Sequence, residues 1–125
     1  MTPAEELHAA AANLRALATA ASAGPWTAEP VVYGPPEDGW GEPSNWEISS
    51  SDRTVVAHQQ YEGGGIDHAP NAAWIAAVHP GVGPALAELL DDHAARLDAT
   101  THPGWQNSIA GPALAVARTL LQRQP

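Results

Sequence analysis

Gly24-Pro25 ends the one long run of helix-favouring residues in the N-terminal half, and from there to Gly65 Pro and Gly cut the chain so often that only short strands fit between the breaks. Before the break, Thr2-Pro3-Ala4-Glu5 reads as a helix start, with Thr2 as N-cap, Pro3 at the first helical position and Glu5 returning a hydrogen bond in a capping box. The helix is expected to reach about Ala23, with Leu7, Ala10, Ala11, Leu14, Leu17 and Ala21 recurring as one apolar stripe. Strand candidates follow at Trp26 to Tyr33, Trp46 to Ser50 and Thr54 to Gln60, the last two joined through Ser50-Ser51-Asp52-Arg53 as a hairpin. Between the first two, Gly34 to Asn45 is too rich in Pro, Gly and acid for regular structure and reads as a surface loop carrying Trp40.

Tyr61 to Gly65 reads as a hinge into the second half, where Asp67 is placed to cap a helix holding Trp74, Ile75 and Val78 that Pro80 ends. A further helix is expected from about Val82 to Leu97. Thr100 to Gly111 reads as a loop containing His102-Pro103-Gly104-Trp105, and Pro112 as the opening of a last helix with Leu114, Ala117, Leu120 and Leu121 toward the core. One helix, three strands and three helices predict a single α+β domain over 1–125, with the helices packed on one face of a small antiparallel sheet. The chain has no Phe and one Met, so the five Trp are expected to anchor a core otherwise filled by Leu, Val, Ile and many Ala.

Fourteen acids against five Arg and no Lys leave a net charge of -9, which argues against contact with a nucleic-acid backbone. The acids are dispersed along the chain, which disfavours DNA mimicry. With no Cys, disulfides, thiolate nucleophiles and thiolate metal sites are all excluded. The N-terminus lacks the basic region and apolar run of a signal peptide, and no apolar run approaches a membrane span, so a cytoplasmic protein is expected.

Several ordered elements carry a family likeness: the Gly24-Pro25-Trp26 step, the Ala69 to Pro80 segment with its Trp-Ile-Ala-Ala core, the Val82-Gly83-x-Ala85-Leu86-Ala87-x-Leu89-Leu90 helix and the closing Pro112 to Arg118 run. On these the chain resembles a group of small proteins of Streptomyces and related actinobacteria and of their phages and prophages. Where such relatives often carry an acid and an aromatic before the Ile-Ala step, this chain has Asn71 and Trp74. The resemblance implies an accessory protein of a mobile element and implies no reaction.

The tightest group of potential ligands is His58, Glu62, Asp67 and His68, but its spacing matches no metal-ligand pattern and three consecutive Gly make a poorly organised first shell. His79-Pro80 and His102-Pro103 read as helix-boundary turns. Ser49, Ser50 and Ser51 sit in an ordinary hairpin turn rather than a strained nucleophile turn. Binding is the better class, because Trp40 and Trp105 fall in Pro/Gly loops and, with Arg53, are placed to form a contact patch or line a pocket. The leading expectation is a non-enzymatic, cofactor-free accessory protein of phage or prophage type, acting on a protein partner in host takeover or anti-defence through Trp40, Trp105 and Arg53. The alternative is sequestration of a nucleotide-like small molecule by the same residues, and a third reading is a metal-dependent hydrolase centred on His58 and His68. An edge strand and the Ala-rich closing helix offer surfaces for a homodimer.

Overall fold

A computed structural model describes residues 1–31, 45–52, 55–57, 65, 66, 68–100 and 102–122, with backbone alone at 55, 103, 105, 107, 109 and 122. Its elements are α1 (Pro3–Ala20), β1 (Thr27–Pro30), β2 (Trp46–Ser49), β3 (Val55–Ala57), α2 (Ala69–Ala77), α3 (Val82–Asp98) and α4 (Pro103–Gln122). The three strands form an antiparallel sheet in the order β1-β2-β3, giving the expected α+β class with one helix before the sheet and three after it. Contacts gather the chain into two compact units, residues 1–20 with 82–125, and residues 21–81.

In the first unit α1, α3 and α4 pack on one another. The start of α1 is the expected capping box: the Thr2 hydroxyl accepts from the Glu5 N–H at 3.2 Å, and the Glu5 carboxylate accepts from the Thr2 N–H at 3.1 Å. The core alternates Leu7, Leu90, Leu97 and Leu114 with Ala4, Ala10, Ala11, Ala87, Ala94, Ala110, Ala113 and Ala117. So many Ala bring the helices close, and a Cβ added to Gly83 on α3 would stand 2.9 Å from the Ala18 Cβ on α1. The apolar stripe of α1 is shorter than its sequence suggests, because the helix stops at Ala20 and Leu17 is 56% exposed.

The loop expected at 100–111 is helical from Pro103 onward, and Pro112 lies inside α4 rather than at its start. His102 starts the helix: its Nδ1 accepts from the Gly104 N–H at 3.1 Å and its carbonyl from the Gln106 N–H. An interior proline removes a backbone donor and costs about 3 kcal/mol. Here the buried positions Ala110, Ala113, Leu114 and Ala117 form one face that runs through Pro112, and their burial carries the helix across it.

Two charged clusters tie the helices together. On one side Arg118 of α4 grips Glu6 of α1 bidentately, at 2.7 and 3.2 Å. On another, Asp91 of α3 accepts from Arg15 of α1 at 2.5 Å and bonds the His8 Nδ1 at 2.7 Å. The Arg118 hydrogen bond holds the Glu6 carboxyl below its usual range. Burial would raise the Asp91 carboxyl, but the hydrogen bonds from Arg15 and His8 outweigh it and hold it low.

In the second unit β1 and β2 pair as Thr27↔Ser49, Ala28↔Ile48, Glu29↔Glu47 and Pro30↔Trp46, and the register shifts between Ile48 and Ser49 where β2 meets β3. Alternation puts Ala28, Ile48 and Trp46 on one face and Thr27, Glu29, Glu47 and Ser49 on the other. Helix α2 packs on β1 and β2, and Ile48 and Ala72 are fully buried. The turn after β2 is tied back by the Ser51 N–H and hydroxyl, both donating to the Ala23 carbonyl at 3.3 Å, and the Trp26 indole N–H donates to the Ser22 carbonyl at 3.0 Å.

Leu90→Ala is expected to lower the unfolding free energy by about 2–5 kcal/mol in urea titration, while Leu89→Ala, one residue earlier and 50% exposed, is expected to change it by about 0.5 kcal/mol or less. The carboxyls of Glu6 and Asp91 bind protons less readily folded than unfolded, so the stability they contribute is full above their unfolded pKa values near 4 and drains as the pH falls through the lower folded values. Asp91→Asn is therefore expected to flatten the loss of stability below about pH 4, read from urea midpoints at stepped pH. An acid slope equal to that of the wild type would show that the α1–α3 cluster does not contribute.

Candidate functional site

Helix α2 and its continuation to Val78 carry no charged residue. Pro70 sits in the first turn, and the extended backbone of His68 serves as N-cap in place of the Asp67 expected there, with no side-chain capping bond. The His68 carbonyl accepts from the N–H groups of Asn71 and Ala72, and the last turn closes with the Val78 N–H on the Trp74 carbonyl at 3.1 Å.

Helical spacing splits this segment into two apolar faces. Ala72, Ile75 and Ala76 are buried or half-buried, the face that the sheet covers. Pro70, Ala73, Trp74, Ala77 and Val78, at spacings of three, four, seven and eight, are all exposed. Trp74 is 69% exposed and Val78 47%. Asn71 is the one polar side chain of the helix; a helix so largely apolar is ordinarily buried all round, but here one side is open.

The C-terminal end of α2 is held by His79. Its Nδ1 accepts from the Gly81 N–H at 3.0 Å, which bears out the helix-boundary reading of both His-Pro pairs. The ring fills the space a side chain would take on either neighbour: a Cβ on Gly24 would fall 2.2 Å from its Nδ1, and one on Gly81 would fall 2.4 Å from its Cε1. The exposed face therefore stands on a fixed element, anchored by the sheet below and by the His79 turn at its end.

Most of the residues singled out from sequence lie outside the described ones. Trp40 and Arg53 lie outside the described residues. Trp105 is on helix α4, not in a loop, because the helix begins at Pro103, and its side chain lies outside the described ones. Of the candidate metal group, His58, Glu62 and Asp67 lie outside the described residues and His68 is the exposed N-cap of α2. Among the described residues no group of three or more His, Asp or Glu is placed to hold a metal. Trp74 was expected in the core and is instead 69% exposed, which only the assembled fold reveals.

One sizeable groove, about 670 Å³, lies along α1 and α3, lined by Arg15, Ala85, Glu88, Leu89, Asp91 and Asp92. Its single guanidinium is held by Asp91 and it presents three carboxylates, a poor cradle for a nucleotide phosphate. Among the described residues no single helix is long and apolar enough to cross a membrane. No family model, curated protein or solved structure matches the chain.

Trp74→Ala is expected to change the unfolding free energy by about 1 kcal/mol or less, whereas Ile48→Ala in the sheet beneath is expected to cost about 2–5 kcal/mol. Denaturant titration of the two variants checks this; a Trp74 loss as large as that at Ile48 would mean that the indole is a core group.

Proposed function

We propose that the chain is a non-enzymatic binding protein that acts on a protein partner, and that its docking surface is the outer face of α2. The observation that carries this reading is Trp74, 69% exposed at the centre of an uncharged apolar helix face. Truncated aromatics of this kind are the costliest losses at protein interfaces, because a large flat apolar surface leaves water at little cost in conformational entropy. An apolar face on a rigid support also matches how a helix docks in a groove, with anchors three, four and seven residues apart.

Trp74 is the exposed aromatic among the described residues, Trp40 and the side chain of Trp105 lying outside them, and the class of function stays the same. The resemblance to phage and prophage proteins is consistent with a host protein as the partner. The sequestering reading gains no support from the α1–α3 groove, whose carboxylates would repel an anionic ligand.

A photoreactive phenylalanine analogue in place of Trp74, irradiated in lysate of the organism that carries the gene, is expected to yield a discrete protein adduct. Adding Ala73→Glu and Ala77→Glu is expected to abolish it. No adduct from position 74, in a variant shown to be folded by circular dichroism, would overturn the assignment of this face.

A further inference from the structure

The described imidazoles differ in what their Nδ1 atoms face. Those of His8 and His93 face acceptors, the Asp91 carboxylate at 2.7 Å and the Leu89 carbonyl at 2.9 Å, so a protonated ring keeps both bonds. At half-buried His79 the polarity is reversed. Its Nδ1 takes the Gly81 N–H at 3.0 Å, which only an unprotonated nitrogen can do, so the closed turn holds a neutral imidazole with its hydrogen on Nε2. His102 accepts from Gly104 in the same way, but His79 also joins two stretches of chain that are distant in sequence.

The ring lies against Gly24 as well as Gly81, and a Cβ on Gly24 would fall 2.2 Å from Nδ1. Nδ1 therefore meets a Cα hydrogen of Gly24 on one side and the Gly81 N–H on the other. A proton added there meets both hydrogens, and among the described residues no acceptor is bonded to this nitrogen. Gly24 and Gly81 lie at the start and the end of the 21–81 unit. The ring thus clasps the unit where its chain enters and leaves, directly after Ala77 and Val78 of the exposed α2 face.

Apart from His79, residues 16–28 and 69–87 contain no titratable side chain. The strands on which α2 packs carry Glu29 and Glu47 on the sheet face turned away from it. The turn after β2, tied to Ala23 by Ser51, brings Asp52, whose carboxylate accepts from the Ser50 hydroxyl. The C-terminal end of α2 favours a cation, and the N-terminal end of α3, three residues on, disfavours one. The two helix ends act in opposite senses, and the hydrogen bond sets the direction.

We propose that His79 is a pH-sensitive clasp: neutral, it closes the end of α2 onto Gly24; protonated, it releases the Gly81 N–H and frees the turn. The inference does not depend on the docking reading, although release leaves the Val78 end of that face unanchored. The open turn takes up a proton that the closed turn cannot, so closure is complete above the ordinary imidazole range and is lost as the pH falls through it.

Nitrogen NMR of the imidazole rings and amide hydrogen exchange, both on the full chain, test this. At about pH 8 the His79 Nδ1 is expected to give the signal of an unprotonated nitrogen. Between about pH 7 and about pH 5 the protection of the Gly81 N–H, corrected for its intrinsic exchange rate, is expected to fall about tenfold. His79→Asn supplies an oxygen that accepts the same N–H and does not titrate, and is expected to leave Gly81 equally protected at both pH values. A protonated Nδ1 at about pH 8 would overturn the clasp, and so would Gly81 protection that stays level in the wild type. A fall of the same size in His79→Asn would overturn it too, because another group would then be titrating. Should that variant fold poorly, the nitrogen signal and the wild-type protection still decide.

Discussion

Only Leu7, Ile48 and Leu90 are large side chains that are fully buried among the described residues, and the packing of both units follows from that shortage. Each buried Ala contributes little apolar area, so the helices of the first unit gain contact by coming close, down to the 2.9 Å that a Cβ on Gly83 would leave to Ala18. The helices are then cross-tied at their edges by Arg118 on Glu6 and by Arg15 and His8 on Asp91. Exposed ion pairs of this kind add little each, and the buried Leu and Ala faces hold α1, α3 and α4 together.

In the second unit the same shortage has a different result. Three short strands offer one apolar face, and a helix nine residues long covers it with Ala72, Ile75 and Ala76. The apolar residues on the other side of that helix have no sheet to meet within the unit. Their exposure is thus not a failure of folding but a surplus, and Trp74 is its largest member. Apolar residues beyond what the local core can take up, gathered on one face with no charge among them, are what distinguishes a contact surface from a scatter of single exposed side chains.

The two His-Pro-Gly turns show how the chain sets helix starts without the usual Ser, Asp or Asn cap. In both, Nδ1 accepts from the N–H two residues on, a side-chain acceptor standing where a capping oxygen would. At 102–104 the turn opens α4 nine residues before the proline that looks like the obvious start. At 79–81 it closes α2 and leads into α3, with the imidazole occupying the space beside Gly24.

Much of the fold is legible in the sequence because the signals are local. The capping box at Thr2 and Glu5, the short strands between Pro and Gly breaks, and the spacing of Leu86 to Leu97 are each decided within one or two turns of chain, and the structure has them where the spacing puts them. The passage of α4 through Pro112 was not legible, because a proline's local cost was outweighed by the burial of Ala110, Ala113, Leu114 and Ala117 against other helices. The candidate site was hidden for a related reason. An apolar run such as 69–78 reads the same whether one side or both are covered, and the count of covering elements is a property of the assembled sheet. The sequence by itself determined the element types outside 103–111, the acidic imbalance and the uncharged character of α2; tertiary structure alone decided that α4 begins at Pro103 and that one side of α2 is closed by Ile48 and its neighbours while Trp74 faces outward, because burial depends on what else packs there and not on the residue itself.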